Sequence, residues 1–117
     1  MWAGRETHTN DKNRSMSLQH FSGLSKFKDQ VEFFSLQKGK RENDPHDQDW
    51  TITKFGEKIE TFMDSAAVLA NLDLLISIDS APVHLAGALG MPVWVFIPAI
   101  FDFRWMVDRA DTPWYST

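Results

Sequence analysis

The residues best suited to chemistry lie at one predicted turn, which contains Asp79, Ser80 and Ala81. The apolar run before the turn, residues 74–78, is typical of a buried strand, and Pro82 fits only the first turn of a helix. The helix N-terminus therefore opens at the carboxyl end of a strand. Open α/β sheets bind anions there, because free backbone N–H groups and the helix dipole favour negative charge.

His84 makes this turn more specific. Helical side chains lean towards the N-terminus of their helix, so we expect His84 to lie over Ser80 and Ala81. A donor at that position could bind a phosphate oxygen. The alternative is a hydrogen bond from the histidine to a neighbouring loop carbonyl, without any ligand.

The elements around the turn are predicted to alternate between strands and helices. In order they are a strand end at 1–4, a helix over 18–27, a strand over 31–36, a helix over 61–72, a strand over 74–78, a helix that ends at Gly90 and a strand over 93–97. Such alternation predicts an α/β fold with a Rossmann-like parallel sheet, flanking helices and right-handed crossovers. We expect one domain over residues 1–117, with an exposed, variable polar loop at 40–50 and an aromatic-rich tail at 99–117.

Three predicted strand ends converge on one edge of this sheet, because the carboxyl ends of parallel strands lie together. They contribute Gly4, then Gln37 and Lys38, then the turn at Asp79. The basic side chains of Arg14, Lys38 and His84 would surround a diphosphate at this edge. The competing interpretation is that Arg14 and Lys38 are solvated surface charges.

Composition excludes several classes of protein. The chain has 117 residues, a formal net charge of −4 and no cysteine. Disulfides and thiolate metal sites are therefore excluded, and a cytoplasmic location is expected. The acidic balance argues against nucleic-acid binding, and no apolar run reaches the roughly 20 residues that span a bilayer.

Other candidate sites have weaker support. Asp102, Asp108 and Asp111 could hold a metal, although acidic residues among aromatics are more often a solvated rim. A P-loop, a G-x-G-x-x-G fingerprint and a G-x-S-x-G elbow are all absent from the sequence, which argues against the enzymes that use them. Core packing is expected for Trp94 and Trp105.

Several short motifs, taken in order, resemble a known family. They are WAG-x(5)-ND-x-NRS at 2–15, F-x-SLQKG at 33–39, D-x-AA-x-LA-x-LDL-x-IS-x-DSA-x-x-HLAGALG at 64–90, PVWV at 92–95, D-x-RW at 102–105 and DR-x-D-x-PWY-x-T at 108–117. Together they resemble the C-terminal glycosyltransferase region of bacterial tetratricopeptide-repeat proteins. That region is similar to heptosyltransferase-like family 9 and to O-linked N-acetylglucosamine transferases.

The resemblance implies the C-terminal, donor-binding half of a GT-B fold, in which two Rossmann-like domains face each other. Asp79, Ser80 and His84 would match the family's D-S/T-x-x-x-H turn, which lies against the diphosphate of a nucleotide-sugar donor. Family enzymes of this type generally need no metal or other cofactor, since side chains and the helix dipole neutralise the leaving diphosphate. A base would deprotonate the acceptor hydroxyl during displacement at the anomeric carbon.

The resemblance also implies that this half is truncated at both ends. Family members carry an N-terminal acceptor domain or repeat array, which would be the partner and would supply the catalytic base. We therefore expect no sugar transfer by this chain alone. One alternative is a non-catalytic remnant that packs on tetratricopeptide repeats through its aromatic tail. A second is a different Rossmann-like enzyme that binds another phosphorylated ligand.

Overall fold

The computed structural model describes residues 1–106, 109 and 112–115. Its helices and strands alternate along most of the chain, as the sequence predicts. They are α1 (Asp11–Arg14), a 3-10 helix (Leu18–Phe27), β1 (Phe33–Ser35), a 3-10 helix (Lys40–Asn43), β2 (Ile52–Lys54), a 3-10 helix (Gly56–Lys58), α2 (Phe62–Leu69), β3 (Leu75–Ile78), α3 (Ala81–Ala88), β4 (Val93–Phe96) and a 3-10 helix (Phe103–Trp105).

The strands form two small parallel sheets. One pairs β1 with β2, so that Phe33 lies opposite Ile52. The other pairs β3 with β4, with Leu75 opposite Val93. The predicted α/β architecture with parallel strand pairing is therefore confirmed. Strand β2 is an addition that the sequence pattern did not predict.

The first three residues join the two sheets through hydrogen bonds. The Met1 amino group donates to the Ile76 carbonyl at 2.9 Å, and the Ile78 N–H donates to the Met1 carbonyl at 3.1 Å. On the other side, the Gln37 side-chain oxygen accepts from the N–H groups of Trp2 at 3.2 Å and Ala3 at 2.9 Å. Met1 thus occupies the position of a parallel strand beside β3.

Two apolar clusters form the core. The first packs α2 and α3 against β3 and is built from Leu36, Ile59, Leu69, Leu75, Val83, Ala86 and Met91. The second packs the 3-10 helix at 18–27 against the N-terminal segment and is built from Trp2, Ala3, Leu18, Phe21 and Trp50. Burial of these side chains supplies the main driving force for folding.

Local signals in the sequence determine where the two helices beside the site begin and end. Thr61 and Asp64 form a reciprocal capping box at the start of α2. Pro82 lies in the first turn of α3. After α3, Gly90 adopts a φ of 72°, a left-handed conformation that glycine tolerates without steric cost.

The helix predicted over 18–27 is present as a 3-10 helix, in a segment that contains Gly23 and two serines, which are weak helix formers. Two other predictions about local structure were wrong. The polar loop at 40–50 is not wholly exposed, because Glu42 and Trp50 are buried. Trp94 does not pack in the core, since it lies on β4 with 64% of its surface exposed.

The helices of the described residues are short. The longest α-helices, α2 and α3, have eight residues each. Within residues 1–106, 109 and 112–115, no helix has the length and apolar character needed to cross a bilayer.

Candidate functional site

A cleft of about 930 Å³ lies where the strands reach their carboxyl ends. The segment after Ala3, the segment after β1 and the starts of α2 and α3 all contribute to its walls. Its lining residues are Met1, Ala3, Gly4, Arg5, Glu6, Thr7, Leu36, Gln37, Lys38, Gly39, Lys40, Arg41, Ile59, Glu60, Thr61, Phe62, Ser65 and Pro82. Gly4, Gln37 and Lys38, which the sequence placed at one sheet edge, therefore meet in one cleft.

Gln37 and Lys38 are anchored by hydrogen bonds to the backbone. The buried Gln37 side chain accepts from Trp2 and Ala3, and its amide donates to the Lys38 carbonyl at 3.2 Å. The Lys38 ammonium donates to the Ile59 carbonyl. Gln37 thus holds the N-terminal segment in place, and the Lys38 ammonium is held at the wall of the cleft.

Arg14 lies directly against Gly4. A β-carbon built on Gly4 would lie 2.5 Å from Nη2 of Arg14, so only glycine lets the guanidinium approach this closely. Nη1 of Arg14 donates to the Asp79 carbonyl at 3.4 Å. Nε is buried and has no hydrogen-bond partner among the described residues. Because an unpaired buried donor costs free energy, this guanidinium is suited to an anion as an additional partner.

The turn before α3 is shaped by its two serines. Ser80 is the N-cap residue of α3, but it makes no side-chain capping bond within the described residues. Its hydroxyl oxygen instead lies 3.1 Å from that of Ser77, which donates to the Ile78 carbonyl. The first turn of α3 reaches the cleft through Pro82, whereas the cleft lining does not include Ser80 or Ala81.

His84 has partners outside the cleft. Its Nε2 lies 3.6 Å from a carboxylate oxygen of Asp79, and its Nδ1 lies 2.9 Å from the Tyr115 hydroxyl. The imidazole also stacks on the Trp105 ring, with centroids 5.7 Å apart and planes inclined by 22°. The alternative of a loop-carbonyl partner is therefore not what is observed. Its role in binding phosphate stays a prediction.

Sequence reasoning missed several charged residues of the cleft and both aromatic partners of His84. Arg5, Lys40 and Arg41 line the cleft, and Arg41 forms an ion pair with the buried Asp11 at 3.2 Å. The density of basic residues near 38–41 was a signal that could have indicated them. Tyr115 follows His84 by 31 residues, and no spacing pattern links the two.

The candidate metal site is only partly within the described residues. Asp102 lies 3.1 Å from the Arg104 guanidinium and caps the 3-10 helix that follows it. Asp108 and Asp111 lie outside the described residues. Across residues 1–106, 109 and 112–115, no cluster of three or more His, Asp or Glu side chains is placed to hold a metal ion.

The charge of the cleft differs in sign from that of the whole chain. Its lining has four cations, namely Arg5, Lys38, Lys40 and Arg41, and two carboxylates, Glu6 and Glu60. The chain as a whole has a net charge of −4.

Comparison with protein-family models, curated proteins and solved structures finds no match for this chain.

Proposed function

We propose that this chain is the donor-binding part of a glycosyltransferase of the GT-B type, and that it binds a nucleoside-diphosphate sugar in the cleft. The carrying observation is that the cleft of an acidic chain is lined by four cations and two carboxylates, and three of the cations, Arg5, Lys38 and Lys40, are outside the Arg41–Asp11 ion pair. Such a local excess attracts an anion with two phosphates, and low-dielectric walls strengthen the attraction. The volume of about 930 Å³ lies in the range of cofactor-sized ligand sites.

The arrangement of the strands supports this proposal. The Met1 backbone bonds to β3, and the Gln37 side chain, which follows β1, bonds to Trp2 and Ala3, so residues 1–3 lie between the two separate sheets. This placement is compatible with the 3-2-1-4-5 order of doubly wound nucleotide-binding sheets, with residues 1–3 in the place of the first strand. Ligands of such sheets lie outside the carboxyl ends of the strands, which is where the cleft is found.

Two basic side chains suit the proposed role of donor binding. Lys38 lines the cleft, and Arg14, which is not a lining residue, lies against the lining residue Gly4 and has a buried Nε without a hydrogen-bond partner among the described residues. In a sugar transfer, these cations would stabilise the negative charge that develops on the leaving diphosphate. The base that takes the proton of the acceptor hydroxyl would come from an acceptor-side partner, so this chain binds the donor without transferring the sugar.

Calorimetric titration of the purified chain with UDP, GDP and ADP tests the proposal. We expect one diphosphate to bind better than the others and better than inorganic phosphate. Arg14→Gln should weaken that binding at least tenfold, which corresponds to about 1.4 kcal/mol. His84→Ala, measured alongside, reports whether the histidine contributes in spite of its contacts with Asp79 and Tyr115.

A matched control is Arg104→Gln, since Arg104 lies outside the cleft lining and pairs with Asp102. This variant should bind like the parent chain. A folded chain that binds none of the diphosphates would refute the donor-site proposal. Preference for inorganic phosphate over every nucleotide would favour another phosphorylated ligand instead.

A second candidate function is an interaction module, and exposed apolar side chains favour it. On and after β4, several large apolar residues are at least one-third exposed: Trp94, Phe96, Ile97, Ile100, Phe101, Phe103, Met106 and Trp114. Large exposed apolar patches mark sites of protein association. In this case the chain would pack on tetratricopeptide repeats and would not need to bind a nucleotide.

A further inference from the structure

The N-termini of α2 and α3 both reach the cleft, and that of α2 is already occupied by a carboxylate. One oxygen of Asp64 accepts from the Glu60 N–H at 3.0 Å, the Thr61 N–H at 2.7 Å and the Thr61 hydroxyl at 2.9 Å. These bonds lower the pKa of Asp64, and the bond from the Thr61 N–H contributes most. Because the negative charge offsets the helix dipole, this wall of the cleft does not favour a phosphate.

A second carboxylate lies at the same wall. Glu60 lines the cleft and is exposed, and its side chain forms no ion pair with any described residue. A phosphate placed here would meet the charges of both Glu60 and Asp64. Since a carboxylate only accepts hydrogen bonds, the group that this wall can bind is a neutral one with N–H donors.

Phe62 adds a flat apolar surface to this wall. It is the first residue of α2, it lines the cleft, and 68% of its surface is exposed. Within the described part of the chain, no aromatic ring pairs with it. Nucleobases of every kind stack on such rings, because each base has a π face. Phe62 is therefore suited to hold a base without selecting among bases.

Lys38 connects this wall to the basic part of the cleft. Its ammonium donates to the carbonyl of Ile59, the residue before Glu60. The other lining cations that are outside the Arg41–Asp11 ion pair are Arg5 and Lys40. A diphosphate bound at Lys38 would thus bring its nucleoside next to Glu60 and Phe62.

The Glu60 carboxylate can select among bases by the donors on their edges. A carboxylate accepts two parallel hydrogen bonds when two adjacent N–H groups face it. Guanine presents such a pair, its N1–H and its N2 amino group. Adenine and cytosine place their amino group beside a ring nitrogen that is itself an acceptor, and uracil has a single N–H between two carbonyls. Among these bases, guanine is the one that matches a carboxylate with two bonds.

We propose that the ligand of the cleft is a guanosine-diphosphate sugar, whose base stacks on Phe62 and donates from N1 and N2 to Glu60. This inference rests on the proposed function, because it assigns the base of the donor that the cleft is proposed to bind. The diphosphate lies on the Lys38 side, and the stacked base lies at the start of α2.

Calorimetric titration of the full chain with GDP, IDP, UDP, CDP and ADP tests the choice of base. IDP is the matched ligand, since it differs from GDP only in lacking the N2 amino group. We expect GDP to bind at least tenfold more tightly than UDP, CDP and ADP, and at least fivefold more tightly than IDP.

Two pairs of chain variants test the location of the contacts. Glu60→Ala should bring the affinities for GDP and IDP to within about twofold, because the acceptor is gone. Glu57→Ala is its control, since Glu57 is exposed and outside the cleft lining. Phe62→Ala should weaken GDP and IDP binding by the same factor, at least fivefold. Met63→Ala is the control for that change, at a residue that is 77% exposed and outside the lining.

The outcomes separate this inference from the proposed function. Binding of UDP, CDP or ADP as tightly as GDP would overturn the guanine assignment and leave the donor site in place. So would equal binding of GDP and IDP to the parent chain, or an unchanged preference for GDP in Glu60→Ala. Unchanged GDP affinity in Phe62→Ala would overturn the stacking contact. Absence of binding to all five diphosphates would overturn this inference and the donor-site proposal together.

Discussion

Asp79 and His84 face each other across the first turn of α3, with Nε2 of the histidine 3.6 Å from a carboxylate oxygen. The other ring nitrogen is engaged by Tyr115. The turn before α3 and the aromatic tail are therefore linked through one imidazole. Any ligand that contacts His84 must share it with these partners or displace one of them.

The link to the tail predicts the effect of Tyr115→Phe. This substitution keeps the ring near Gly87 but removes the hydroxyl that lies 2.9 Å from His84. We expect the free energy of unfolding to fall by about 0.5–1.5 kcal/mol, the usual net value of a hydrogen bond. Chemical denaturation measures the change. Phe103→Leu, at a ring that is 83% exposed, serves as a control and should leave the midpoint unchanged.

The close approach of Arg14 to Gly4 predicts that Gly4→Ala weakens nucleotide binding more than it lowers stability. The added methyl group would overlap the guanidinium, which is the flexible end of a side chain and can move away at small cost. We expect at least tenfold weaker diphosphate binding in calorimetry. Gly23→Ala is the control, since nothing lies within 4 Å of its added β-carbon. Unchanged affinity in Gly4→Ala would contradict a role for Arg14 in the site.

The packing around Gly56 predicts a large loss of stability in Gly56→Ala. The added β-carbon would overlap the Gln37 backbone carbonyl, and it would lie 2.5 Å from a Glu42 carboxylate oxygen. Overpacking against backbone costs about 1–3 kcal/mol or more. Thermal denaturation should show this loss, whereas Gly23→Ala should melt near the parent temperature.

Glu42 itself accepts a hydrogen bond from the Gly56 N–H at 2.8 Å and is 5% exposed. Glu42→Ala would leave that buried N–H without its acceptor, at a cost of about 1–3 kcal/mol. Glu42→Gln keeps an acceptor oxygen at the same position and should lose less. Urea denaturation of the two variants distinguishes them, and equal losses would show that the hydrogen bond is unimportant.

The buried Met1 amino group predicts a pH dependence of stability. Burial lowers its pKa in the folded chain to about 5 from an ordinary value of 8.0. Between these pH values the unfolded chain binds more protons, so stability rises with pH and is lost as pH falls from 8 to 5. Three pKa units correspond to about 4 kcal/mol.

The measurement compares denaturation of the parent chain and an Nα-acetylated chain across that pH range. Acetylation removes the titrating group but keeps an N–H for the Ile76 carbonyl. The difference between the two curves should grow as pH falls and should level off below pH 5. Parallel curves would show that the amino group titrates normally in the folded chain.

Much of the second half of the fold could be predicted because its signals are local. The capping box at Thr61, the β-branched run of β3 and the Pro82 and Gly90 pair define α2, β3 and α3 within a few residues. Strand β2 has only three residues, Ile52–Lys54, and two of them are polar. It exists because it pairs with β1, and such non-local pairing leaves no periodic pattern in the sequence.

The part of the candidate site that could be predicted is the part whose residues are brought together by the strand topology alone. Gly4, Gln37 and Lys38 meet because the carboxyl ends of parallel strands meet. The surroundings of His84 were not predictable, since Trp105 and Tyr115 reach it from a tail without helical or strand periodicity. Contacts between residues that are far apart in the sequence form only in the tertiary structure, and the spacing of residues along the chain does not predict them.

The distribution of the tryptophans gives the chain built-in optical probes. Trp2 and Trp50 are 4% and 3% exposed within one core cluster, whereas Trp94 and Trp114 are 64% and 55% exposed. Acrylamide should therefore quench Trp94 and Trp114 at once, but Trp2 and Trp50 only when that cluster opens, with the half-buried Trp105 between them. Because Trp2 belongs to the segment that joins the two sheets, loss of the protected population would report their separation directly.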